Sequence, residues 1–107
     1  GDATALPSDG PPMPKSAYSA NSQAKICAMN VVNLMNGKET IEMSGINVCY
    51  SAINDHESVS IAQVFKLEKG KIKSSATAIS PADFSLAKTE HVYGESWLRN
   101  ILTEMST

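Results

Sequence analysis

The sequence predicts an α+β fold: an N-terminal loop and helix, a three-stranded antiparallel sheet and a C-terminal helix. Three observations predict it. An apolar stripe at helical spacing runs from Ala24 to Met35 and stops at Asn36-Gly37. Two stretches then alternate with a period of two, and a Lys69-Gly70 turn leads to a third. A second helical stretch follows Ser80-Pro81-Ala82-Asp83. Helices followed by antiparallel strands, without βαβ alternation, define this class.

Residues 1–19 are rich in Pro, Gly, Ser and Ala, and Leu6-Pro7-Ser8-Asp9-Gly10-Pro11-Pro12 is incompatible with helix or central strand. Composition alone reads equally well as a flexible tail or an ordered loop. Pro14-Lys15, leading straight into a helix, favours the loop. The helix is expected over Asn21–Asn36, with Ser19 or Asn21 as N-cap and Gly37 in a left-handed stop. Its stripe of Ala24, Cys27, Ala28, Val31, Val32, Leu34 and Met35 calls for a packing partner, and the small Ala20, Ala24, Cys27 and Ala28 for a close one. Cys27 then reads as a small buried apolar residue.

Ile46–Ile53 alternates, with Ile46, Val48, Tyr50 and Ala52 on the apolar side and Asn47, Cys49, Ser51 and Ile53 on the more polar one. Asn54-Asp55-His56-Glu57 is a turn. Ser58–Glu68 is a second strand with Val59, Ile61, Phe65 and Leu67 on one side. Glu68-Lys69-Gly70-Lys71 is a hairpin connection, and Ile72–Ile79 is a weaker, more exposed strand. Ser80-Pro81-Ala82-Asp83 supplies a cap, a first-position Pro and a first-turn acid for a helix reaching about Met105. Trp97 or Leu98, Ile101, Leu102 and Met105 form its stripe, and Gly94 marks a bend or close contact.

The 107 residues suffice for one small domain. A net charge of −2 without a Lys/Arg cluster provides no footprint for nucleic acid. No apolar run approaches the roughly 20 residues of a membrane span, and no signal-peptide pattern is present. Cys27 and Cys49 allow one internal bridge but are too few for a disulfide scaffold. With no C-x-x-C and two histidines, His56 and His91, no metal site is expected. P-loop, G-x-G-x-x-G and G-x-S-x-G motifs are absent from the sequence.

The chemistry lies at the start. Gly1-Asp2 precedes Met13-Pro14-Lys15-Ser16-Ala17-Tyr18-Ser19-Ala20-Asn21-Ser22-Gln23-Ala24-Lys25, which enters the first helix. A glycine admits close backbone approach, a carboxylate accepts from polyol hydroxyls, and a helix start offers N–H groups. Together they suit a polyhydroxylated, phosphorylated cofactor.

These residues, with Asn47-x-Cys49-Tyr50-Ser51, Ile79-Ser80-Pro81 and Ser96-Trp97, resemble the C-terminal quarter of the flavin-binding subunit of flavocytochrome c sulfide dehydrogenase. Gly1-Asp2 resembles the third FAD motif of the wider glutathione-reductase-like flavoproteins. The resemblance spans essentially the whole chain. It implies a fragment of a larger flavoprotein whose dinucleotide fingerprint lies upstream. Residues 1–37 would be the tail end of the FAD-binding domain, and 38–107 a C-terminal α+β flavin-binding and interface domain.

The resemblance further implies that Gly1, Asp2, Lys15, Ser16, Tyr18, Ser19, Asn21 and Ser22 bind FAD, with Asp2 on the ribityl chain and the Lys15–Ser22 loop near the pyrimidine end. Cys49 would be one sulfur of a redox disulfide whose partner lies outside these residues. Hydrosulfide would attack that disulfide, and electrons would pass through the flavin to haem c on a c-type cytochrome subunit in the periplasm. Tyr18 and Trp97 match aromatic positions between flavin and cytochrome, where they either assist electron transfer or pack. Ala17 and Ala24 depart from the family's frequent Gly, and Asn54-Asp55-His56-Glu57 replaces a turn richer in Gly and Pro.

From the residues alone, Cys49 is a half-buried strand cysteine, Lys15 a solvated loop lysine and Trp97 a core residue. His56 and His91 read as surface or turn residues. Two alternatives to the enzyme stand beside it: a non-catalytic module docking the cytochrome or a second copy, and a piece of a flavin-disulfide oxidoreductase reducing quinone. The last helix ends Glu104-Met105-Ser106-Thr107 without a basic face, which disfavours quinone access at a membrane.

Overall fold

A computed structural model describes residues 1–43 and 45–107. Helix α1 (Ala17–Met35) is followed by β1 (Ile46–Ala52), β2 (Ser58–Glu68), β3 (Lys71–Ser80) and α2 (Ala87–Ser106), the last preceded by a short 3₁₀ turn over Phe84–Leu86. The strands form one antiparallel sheet in the order β1-β2-β3. This is the α+β arrangement the sequence predicts. The chain divides into two compact units, Gly1–Asn47 with Gln63–Thr77 and Val48–Ala62 with Ala78–Thr107.

In the first unit α1 begins earlier than expected. Ser16, in extended backbone, caps it by accepting from the Ser19 amide at 3.2 Å, so Ser19 and Asn21 lie inside the helix. Its far end is a Schellman stop, with Gly37 N–H on Leu34 C=O at 3.1 Å and Lys38 N–H on Asn33 C=O at 2.9 Å. Gly37 takes the expected left-handed φ of +66°. The proline-rich segment is ordered rather than a loose tail. Ile72 N–H donates to Pro7 C=O and Asp9 N–H to Ile72 C=O, both at 2.8 Å. Asn30 clamps the connector after α1 through Nδ2 to Ile41 C=O at 3.0 Å and Oδ1 from Ile41 N–H at 2.8 Å.

Phe65 and Ile72 are the buried apolar side chains of this unit. The α1 stripe is largely open: Val31, Val32, Leu34 and Met35 are exposed, and so is Cys27, contrary to the expected burial. Cys27, Val31 and Leu34 line a groove of about 590 Å³ together with Leu6, Ile41 and Met43.

At the start of β1 the burial is the reverse of the alternation. Ile46, on the apolar side, is exposed, whereas Asn47, on the polar side, is fully buried. The reason is hydrogen bonding: the Asn47 amide finds its partners inside. The hairpin is as expected: Lys69 and Gly70 both have positive φ, +50° and +77°, the two-residue connection that matches strand twist.

In the second unit Ser58 and Ser60 of β2 are buried, while Ile61 is exposed. Both hydroxyls meet α2. Ser60 donates to the buried Glu90, which also takes Ser80 Oγ at 3.3 Å. Ser58 Oγ shares a hydrogen with His91 Nδ1 at 2.9 Å, so His91 is half-buried rather than a surface residue. Ala87 and Ile101 supply the buried apolar side chains. Asp83, not Ser80, caps the helical entry, accepting from the Ser85 amide at 2.9 Å. That amide, and then the Ser85 hydroxyl, hold the Asp83 carboxyl below its ordinary pKa. Among the described residues every buried side-chain nitrogen and oxygen has a partner.

Candidate functional site

In the first unit the N-terminal loop folds onto the start of α1. Thr4 closes its opening turn by donating to Gly1 C=O through its amide (3.1 Å) and its hydroxyl (2.7 Å). Gln23, two turns into α1, holds both ends of the loop. Its Oε1 accepts from Gly1 N at 2.6 Å, and its Nε2 lies 3.8 Å from Met13 Sδ. The result is a cavity of about 170 Å³ whose walls include Gly1, Asp2, Thr4, Met13, Lys15, Ser19 and Gln23.

Four of the residues singled out in the sequence, Gly1, Asp2, Lys15 and Ser19, therefore share one cavity. It carries a carboxylate, an ammonium and neutral polar groups, a donor and acceptor set suited to a polyol or phosphate ester. Pockets that enclose a whole small ligand measure roughly 300–1,000 Å³. This one has room for a single section of a larger molecule, such as a polyol chain. FAD fits these residues in that partial sense.

Tyr18, Asn21 and Ser22 are half-buried on the first turns of α1, with Ser22 Oγ donating to Tyr18 C=O at 3.1 Å, and do not line the cavity. Ser16 stands beside it as the cap. Its hydroxyl donates to Asn47 Oδ1 at 2.5 Å, and the Ser19 hydroxyl donates to the same oxygen at 3.1 Å. Asn47 Nδ2 in turn donates to Gln63 Oε1 at 3.1 Å. A buried amide without partners costs about 1–3 kcal/mol. Met three times, it becomes a fastening. The sequence reading missed Asn47 as a functional residue; an Asn inside a β-run, where that residue is disfavoured, was the available signal.

In the second unit Cys49 is half-buried on β1, two residues beyond Asn47 and on the same side of the strand. Its neighbour Tyr50 stacks on Trp97 of α2, with ring centroids 6.1 Å apart and planes tilted by 32°. Gly94 makes this possible. A Cβ there would stand 3.1 Å from the Tyr50 ring, so the expected close contact is present and Tyr50 is its occupant. Gly94 and Trp97, three apart, share a helix face. Among the described residues no group of three or more His, Cys, Asp or Glu side chains stands together. None of the described helices is long and apolar enough to cross a membrane.

The sequence over residues 42–105 matches a flavin-binding family, which makes this an α+β domain of an oxidoreductase flavoprotein. The family is flavocytochrome c sulphide dehydrogenase, flavin-binding, and the chain belongs to it. The matched segment carries Asn47, Cys49, Tyr50 and Trp97.

Proposed function

We propose that this chain forms part of an FAD-dependent sulfide dehydrogenase, with residues 1–37 ending the FAD-binding domain and 38–107 forming the C-terminal flavin-binding and interface domain. The cavity at Gly1, Asp2, Lys15 and Ser19 holds a section of FAD. The Asp2 carboxylate accepts from ribityl hydroxyls, and Lys15 with the α1 start offsets negative charge on the reduced cofactor. When bound, FAD supplies two-electron acceptor chemistry.

Cys49 is one sulfur of a disulfide that hydrosulfide attacks. The S–S bond breaks, one cysteine takes up the incoming sulfur as a persulfide, and the other leaves as a thiolate. The thiolate keeps the electron pair given up by the incoming sulfur; re-forming the Cys49 disulfide expels that sulfur at the zero-valent level and needs a two-electron acceptor, which bound FAD would supply, with haem c on a periplasmic cytochrome subunit beyond it. Trp97 serves electron passage or docking of that subunit.

The observation that carries this reading is the family match over residues 42–105, within which Cys49 lies on β1. A fully buried disulfide would be closed to hydrosulfide, whereas one with a sulfur in partial contact with solvent is open to attack. Replacing Cys49 by Ser in the complete flavoprotein tests it. Sulfide-dependent flavin reduction should disappear while FAD stays bound, and normal turnover would remove Cys49 from the mechanism.

A further inference from the structure

Asn47 has a second consequence beyond fastening the fold. Its side chain is fully buried, and its oxygen accepts from Ser16 Oγ and Ser19 Oγ. Each serine hydroxyl has one proton and two lone pairs. Ser16 spends its proton on Asn47, which leaves its oxygen to receive the Ser19 amide as the helix cap. Ser19, in the cavity wall, also spends its proton on Asn47 and has only lone pairs left for a ligand. Asn47 Nδ2 donates to Gln63 Oε1, which leaves Oδ1 facing the two serine hydroxyls.

We infer that Asn47 is a positioning residue for the flavin site, fixing Ser19 Oγ as a hydrogen-bond acceptor toward a donor group of the cofactor, a polyol hydroxyl or imide N–H. The inference rests on the proposed flavin-binding role of the Gly1–Ser19 cavity. A cap without Asn47 would still hold α1, but the Ser19 hydroxyl would be free to turn its proton toward the ligand and lose the match.

The complete flavoprotein, stripped of flavin and titrated with FAD, provides the test through its dissociation constant and the bound flavin's absorption band. Asn47→Ala should weaken binding about tenfold, as expected when a charge-neutral hydrogen-bond network is broken, and shift the band. In a Ser19→Ala background Asn47→Ala should add little, because the two residues act on one contact. Should Asn47→Ala not fold, Ser16→Ala and Ser19→Ala read the same network, and their combined loss should fall short of the product of the two.

A lower melting temperature with unchanged affinity and spectrum would make Asn47 structural only and overturn the inference. Independent, multiplicative losses would overturn it as well. A wild-type protein that binds no flavin would bring down the flavin reading, and the inference with it.

Discussion

The Ser16 hydroxyl donates to Asn47 Oδ1 across 2.5 Å, and this bond ties the first turn of α1 to the start of β1. One side chain thereby caps a helix and satisfies a fully buried amide on a strand that follows some thirty residues later. Local and long-range order meet at that oxygen.

Ser16→Ala removes the cap and one donor to Asn47 together. We expect a loss of about 1–2 kcal/mol, the sum of a typical cap and a modest buried hydrogen bond. Urea denaturation of the complete protein checks it. A loss within experimental error of zero would mean that α1 starts without Ser16.

Gly45 and Phe65 pose a harder constraint. Phe65 N–H donates to Gly45 C=O at 2.6 Å, and a Cβ on Gly45 would stand 2.0 Å from the Phe65 carbonyl oxygen. Backbone cannot yield as a flexible side chain can. Gly45→Ala should therefore destabilise by about 3 kcal/mol or more, in the range of clashes that displace a packed segment. Expression at wild-type levels with an unchanged melting curve would contradict the close approach.

How much of this was legible in the sequence follows from how local each cause is. The Lys69-Gly70 hairpin, the Ser58–Glu68 strand and the Gly37 stop were readable because turn chemistry and backbone sterics act within a few residues. The cap of α1 was not, since Ser16, Ser19 and Asn21 are all good capping residues and Asn47, far along the chain, selects among them. The start of β1 was misread for the same reason: Asn47 is inside because its amide is satisfied there, which no alternation of polarity reveals. At the other helix Asp83 displaced Ser80 as the cap, while the Ser80 hydroxyl serves Glu90. Gly1, Asp2, Lys15 and Ser19 line one cavity, whereas the contact of Tyr50 with Gly94 joins β1 to α2 across a long stretch of chain and has no local signal.

Gly94→Val tests that contact. The branched side chain must push the Tyr50 ring, which a Cβ alone would already approach to 3.1 Å, and so disturb the stack on Trp97. We expect a loss of about 1–3 kcal/mol from overpacking, with a change in the fluorescence of the single tryptophan. Unaltered emission would mean that Tyr50 and Trp97 do not touch in solution.

Asp83 makes stability depend on acid. Its folded pKa is lowered by the Ser85 amide and hydroxyl, so the unfolded chain takes up the proton first as pH falls. The contribution is whole above the ordinary carboxylate range, about 3.9 for Asp, and is lost as pH drops through the lower folded value. Melting temperatures of wild type and Asp83→Ala should differ at neutral pH and converge in acid. A gap that persists well below that range would assign the stabilisation to something other than the ionised carboxylate.

The central claim is that sulfide delivers electrons to a flavin by way of Cys49, and the visible spectrum of the complete flavoprotein during anaerobic sulfide addition tests it most directly. We predict that the flavin band bleaches with two electrons per flavin in the wild type and not in Cys49→Ser. A bound flavin that keeps its oxidised spectrum in excess sulfide would contradict the claim.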